Sequence, residues 1–348
     1  MKTTLSILAL FIIGLNQAIA QDLGEFKPDI TKYGLSNIRK APKKIYISSF
    51  NINYEVYKDA VDYKAAGGFR NNKTSEATAR AAVGLGGVQT ADTQAAADKL
   101  YLEFVSDLNA AGYKIITIDQ AENTDIYKNW KKSSGPYIIE SGMPGVLTVI
   151  PEGYSFMYKG ETKSGKKKKG FLGGVGVPAA LSKQLDDAII AEVNLNVMFT
   201  EDKESLFKGR AAKVKILTNL RLVDAYAITS EKKTGFIRLK GATTVDRVNS
   251  NITFYQGKTG LGSKGQYTVG LKKPLEINNV MGKEKIVAYQ KAGSSSQTSF
   301  SMYSEMDLAS RFSTTAKWID VDSKAYADGL YNACGTLLKT ATSNLKSL

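Results

Sequence analysis

The chain has 348 residues, 43% of them hydrophobic, with 47 lysines and arginines against 33 aspartates and glutamates, a formal charge of +14. It contains no histidine and one cysteine, Cys334. This composition excludes global disorder, an intramolecular disulfide, a Ser-His-Asp or Cys-His relay and a zinc site of the usual His and Cys type; the excess of cations favours anionic partners such as lipid headgroups, acidic polysaccharide or nucleic acid.

Residues 1–20 have the layout of a secretory signal peptide: Lys2, then the apolar run Leu5 to Leu15, then small residues at Ala18 and Ala20 before the cleavage point. The run is too short to span a bilayer, which takes ~20 apolar residues. Removing 20 of 348 residues leaves 328 and takes away Lys2, so the mature charge is +13. No cysteine stands just after the cleavage point, so no lipid anchor is expected there. The chain is expected to be exported, either periplasmic and outer-membrane-associated or extracellular.

Residues 21–42, polar and carrying Pro28 and Pro42, read as an N-terminal arm leading into a single α/β domain over 43–348. Lys44 to Phe50 is the first strand, with Ile45 and Ile47 on one face. Residues 65–90, dense in alanine and glycine, read as a long loop. A helix is predicted over 91–111, because Ala97, Leu100, Tyr101, Phe104, Leu108 and Ala111 recur at helical steps; Thr90 or Asp92 caps its start and Gly112 ends it in the left-handed conformation. Tyr113 to Ile118 follows as a strand, completing an α/β unit. Strands are predicted within 146–150, 188–200, 212–223 and 234–240. Residues 241–300 read as an added β-hairpin region. A closing helix over 323–345, capped by Asp322 or Ser323, aligns Tyr326, Leu330, Cys334, Leu337, Ala341 and Leu345 on one face, so the thiol is expected to be buried and inert. The predicted fold class is α/β: a mixed sheet covered by the helices at 91–111 and 323–345, with the hairpin region in addition.

Three Gly-Lys stretches have the letters of phosphate-binding loops without the context. Gly260 to Gly265 spells GxGxxG but precedes a strand, not a helix. Gly257-Lys258-Thr259 ends like a P-loop, yet Ile252 stands where its first glycine belongs. Gly160 to Lys166 has both glycines and the lysine, but Lys167 replaces the hydroxyl that would hold Mg²⁺. No nucleotide, cofactor or metal is expected. The candidate contact residues are Lys163, Lys166, Lys167, Lys168 and Lys169, a run suited to an anionic lipid or polysaccharide surface at roughly 1 kcal/mol per lysine. The alternative reading is a solvated loop whose charges repel one another. Aromatic residues are not interleaved with it, which disfavours nucleic acid.

The order of segments carries one resemblance. The strand KKIYISSFNI is followed by the helix ADKLYLEFVSDLNAAG, which runs into YKIITIDQAE; AIIAEVNLNVMF, KVKILTNLRLVDAYAIT and the helix AYADGLYNACGTLL come later. This order resembles the periplasmic domain of the curli-secretion-channel family and its relatives, among them the TolB N-terminal domain and lipoproteins that activate peptidoglycan synthases. Gly112 to Asp119 and Leu220 to Asp224 match the family's glycine-stopped helix and its "L-R-L-V-D" strand. The resemblance spans residues 43–230 and the last helix. It implies an envelope-assembly or secretion-associated protein that acts through partner binding or self-association. The lysines and glycines of Ser250 to Leu271 mark that segment as a soluble hairpin. The alternative expectation is a carboxylate-type hydrolase of envelope polysaccharide or peptidoglycan, which would need two carboxylates about 5–9.5 Å apart in a cleft.

Overall fold

The computed structural model describes residues 22–64, 76–141, 143–160, 176–202, 212–234, 237–260, 262–290 and 316–348. In chain order, β1 (Pro28–Tyr33) and α1 (Leu35–Lys40) precede β2 (Lys44–Glu55), and β3 (Tyr57–Lys64) with β4 (Ala77–Gly86) leads to α2 (Thr90–Ala110). After β5 (Lys114–Ile115) come a helical turn, α3 (Ile118–Ala121), and the short strands β6 (Lys131–Ser134), β7 (Tyr137–Glu140), β8 (Val146–Ile150) and β9 (Ser155–Tyr158). Then α4 (Val177–Gln184) enters the longest strand, β10 (Ile189–Asp202), which is followed by β11 (Ala212–Leu222), β12 (Tyr226–Thr234), β13 (Ile237–Val248), β14 (Asn251–Gln256) and β15 (Gly265–Leu271). The strands β16 (Leu275–Glu276), β17 (Lys285–Gln290) and β18 (Lys317–Asp320) lead to α5 (Ser323–Lys346).

The fold is mixed α/β. Eleven strands form one sheet with the central order β1-β15-β14-β10-β2-β8-β7, while β11 runs beside the far half of β10 and carries β16 and β17 on its other edge. The central pair β2 and β10 is parallel, as is the short pairing of β5 with the start of β2, and the other pairings along the central order are antiparallel. The alternation of β2 contains an irregularity that the pairing explains. Ile45 and Ile47 occupy odd positions, and Phe50, Ile52 and Tyr54 even ones. The register shifts between Ala191↔Ile47 and Glu192↔Ser49, so Ser48 is an extra residue. One extra residue restores the facing, and all five apolar side chains enter the same core.

Helices α2 and α5 lie together on that face. Leu100, Phe104 and Leu108 from α2, and Leu330, Cys334, Leu337 and Leu345 from α5, are buried there; each full burial of a large apolar side chain contributes roughly 1.5–3 kcal/mol. Gly112 ends α2 with φ 86°, and Tyr113 N donates to Leu108 O at 3.0 Å. The cap of α5 is Asp322, whose carboxylate accepts from Ala325 N at 2.7 Å. At the start of α2 neither Thr90 nor Asp92 is the cap; Gln89 holds that position, and its N–H donates to Ser323 Oγ at 2.9 Å, tying the two helix starts together.

Several expectations are corrected. Residues 77–86, expected within a loop, form β4, in which Ala77, Ala79, Ala81, Val83 and Leu85 alternate inward. Its small residues serve close packing: a Cβ on Gly84 would lie 2.5 Å from the Trp318 ring of β18. The strand expected over 113–118 is only two residues long, because Thr117 and Gln120 form a capping box that starts α3. Residues 28–33 of the expected arm pair with β15. Within 241–300, β14 and β15 are members of the main sheet, and the end of β13 belongs to a separate two-stranded sheet that β13 forms with the preceding β12.

Candidate functional site

Pairing of β2 with β10 ends at Tyr54↔Val197, and Glu55 follows. Beside it the β10–β11 pairing is bulged: between Met198↔Arg221 and Thr200↔Thr218 β11 advances three residues to two on β10, so Asn219 and Leu220 together face Phe199. A bulge leaves backbone donors without ladder partners. Glu55 satisfies two of them, its Oε2 accepting from Phe199 N at 3.1 Å and Thr200 N at 2.9 Å. The Thr200 hydroxyl lies 2.9 Å from both carboxylate oxygens and 2.8 Å from the Tyr226 hydroxyl.

Glu55 is 1% exposed, Lys58 5% and Arg221 4%. Burial pushes the Glu55 carboxyl above its ordinary value, against the lowering pull of Lys58, of the Thr200 hydrogen bonds and of Arg221. Removing three charges from water costs several kcal/mol per ion, so such a set persists only where hydrogen bonds compensate. Arg221 donates from Nη1 to Asn219 O and from Nη2 to Thr200 O, both at 2.8 Å. The Lys58 ammonium and the Arg221 guanidinium each sit 5.5 Å from the centre of the Tyr226 ring, within cation–π range.

Arg221 and Tyr226 also line an open cleft of about 740 Å³. Its floor is β11 at Asn219 and Arg221; its walls are the N-terminal segment at Gly24 and Glu25, the turn at Lys273 into β16, and the root of the β12–β13 hairpin at Ala225 and Ala227. The N-terminal wall is stitched to β16: Gly24 N donates to Glu276 O at 2.9 Å, and Asn278 N to Asp22 O at 3.0 Å. The wall carboxylates are held by cations. Glu25 meets Lys273 at 2.5 Å and Lys27 at 2.9 Å, and Lys273 above all draws its pKa down to about 2. Glu276 meets Lys283 at 2.7 Å and accepts from Asn219 Nδ2 at 3.2 Å; the lysine lowers its pKa. Both therefore stand ionised at neutral pH. Among the described residues the one carboxyl pushed upward is Glu55, which does not line the cleft.

The lysines expected to make surface contact, Lys163, Lys166, Lys167, Lys168 and Lys169, lie outside the described residues. Gly257-Lys258-Thr259 sits in the turn between β14 and β15, closed by paired bonds between Thr259 and Gly262 at 2.8 and 2.9 Å. Among the described residues no cluster of three or more His, Cys, Asp or Glu has the arrangement of a metal site. The buried charges were missed by sequence reasoning. The available signal was Glu55 itself, an acid closing ten uncharged residues of strand, and Arg221, the charge inside the apolar Leu220–Val223 run. In comparisons with protein-family models, with curated proteins and with solved structures, nothing matches this chain.

Proposed function

We propose that this is an exported envelope protein that acts by binding partners or further copies of itself, without catalysis. The observation that carries this reading is the β12–β13 hairpin. Its strands, of nine and twelve residues, leave the main sheet and pair only with each other among the described residues. A lone two-stranded ribbon is marginal in water, and its outer edges present unpaired N–H and C=O groups, which a further strand completes. The cleft chemistry favours the same reading over hydrolysis. A carboxylate-type hydrolase needs one acid held protonated beside an ionised partner; here Glu25 and Glu276 are held ionised by lysines, while Glu55, the acid whose value is raised, is buried and does not line the cleft. The lysines at 163 and 166–169 are proposed as a second contact, to an anionic lipid or polysaccharide surface.

Cross-linking in the native envelope, followed by mass identification, tests the proposal. Adducts through residues 226–248, to another protein or to a second copy, are expected. A chain that stays unlinked and elutes as a monomer would overturn it.

A further inference from the structure

We propose that the cleft on β11 is a binding site for the carboxy terminus of a peptide, anchored by Arg221. This goes beyond the ribbon contact proposed above, and it stands whether or not the chain self-associates. A guanidinium carries five N–H donors in a fixed planar fork. Arg221 spends two of them, on the carbonyls of Asn219 and Thr200. The other three have no acceptor among the described residues, and no described carboxylate lies within 4.0 Å of the guanidinium. A 4%-exposed cation with unspent donors therefore borders an open cleft. Glu55 and Glu276 act on it only across space; leaving a buried charge without a directly bonded anion is costly, and a carboxylate is the group whose two oxygens match the fork.

The surrounding charges select the anion. Glu25 is paired with Lys27 and Lys273 and Glu276 with Lys283, so these lysines are already engaged. Three wall carboxylates, Glu25, Glu201 and Glu276, would repel a phosphate dianion while tolerating a monoanion fixed on Arg221. The same carboxylates are acceptors, and a peptide end supplies amide N–H donors immediately before its terminal carboxylate. Ala225 and Ala227, both exposed, leave room beside Tyr226 for the body of the ligand.

The test is calorimetric titration of the protein with an N-acetylated tripeptide bearing a free carboxylate, with its carboxamide, with glucuronate and with inorganic phosphate. Saturable binding of the free acid is expected, at least tenfold tighter than that of the other three. Arg221→Gln should weaken it at least tenfold. Because that change alters a buried network, Ala227→Trp provides an independent check: it fills the cleft from an exposed position, and should abolish binding with the denaturation midpoint unchanged. Equal binding of acid and amide, no saturable binding of the acid, or full affinity in a folded Ala227→Trp variant would overturn the site. Tighter binding of glucuronate than of the peptide acid would overturn the peptide assignment.

Discussion

On one face of β2 and β10, Ile45, Phe50, Ile52, Val193, Leu195 and Val197 meet the apolar stripes of α2 and α5. On the opposite face of the same strands, amides pair across the ladder: Asn51 Nδ2 donates to Asn194 Oδ1 at 3.0 Å, and Asn53 Nδ2 to Asn196 Oδ1 at 2.9 Å. Thr148 Oγ1 extends the second row onto β8, donating to Asn53 Oδ1 at 2.6 Å, and Glu55 ends the series at the bulge. The first face is held by burial, which has no direction and scales with area. The second is held by bonds that exist only in one register, since a slip of one residue would turn every amide to the helix side. Stability is therefore concentrated under the helices, and specification of the pairing, together with the cleft that depends on it, on the polar side.

That contrast is testable. Phe104→Ala removes a ring that is 1% exposed and 5.7 Å from Phe50; a loss of about 3–5 kcal/mol is expected in chemical denaturation, and an unchanged midpoint would mean that the helix layer does not carry the stability. On the polar face, Glu55→Gln keeps one oxygen for the Phe199 and Thr200 N–H groups but puts an NH₂ group where Oε1 accepts from the Thr200 and Tyr226 hydroxyls, and should cost about 1–3 kcal/mol at low pH. Burial raises the Glu55 value on folding, so the folded chain binds that proton more tightly than the unfolded one. The carboxyl's contribution is full below the unfolded value and is lost as pH rises through the folded one. The stability gap between wild type and Glu55→Gln should accordingly be widest in acid and narrow toward neutral pH; denaturation curves at several pH values would expose a gap that widens instead.

Smaller effects sharpen the comparison further. In a double-mutant cycle of Asn53→Val and Asn196→Val, the pair should show a coupling of about 0.5–1.5 kcal/mol, the net worth of one amide bond. Zero coupling would remove the amide row as a register device. On the helix side, Cys334 is fully buried and its thiol is pushed upward by desolvation. No labelling by a thiol reagent is expected without denaturant, and rapid modification of the folded chain would contradict the packing of α5.

Much of the helix layer was legible because its signal is local. The stripes of α2 and α5, the left-handed stop at Gly112 and the Asp322 cap each depend on residues within a few positions of one another. The strand at 77–86 was not legible as a strand. Its alanines and glycines read as a loop until Trp318, more than 230 positions away, is placed against Gly84. The candidate site was hidden for the same reason. Glu55, Thr200, Arg221 and Tyr226 are spread over three strands and the root of a hairpin, and no spacing in the chain announces that they meet.

The sequence by itself determined the α/β class, the two covering helices and the apolar face of the central strands, because hydrophobic period and capping chemistry act over one or two turns. Tertiary structure alone decided where β14 and β15 belong, which strands leave the sheet as a ribbon, and that one buried acid and two buried cations gather at the bulge between β10 and β11, with Arg221 bordering an open cleft. Those outcomes depend on long-range pairing, in which each backbone donor must find an acceptor wherever the fold supplies one, and Glu55 supplies two such acceptor contacts from 144 and 145 positions away.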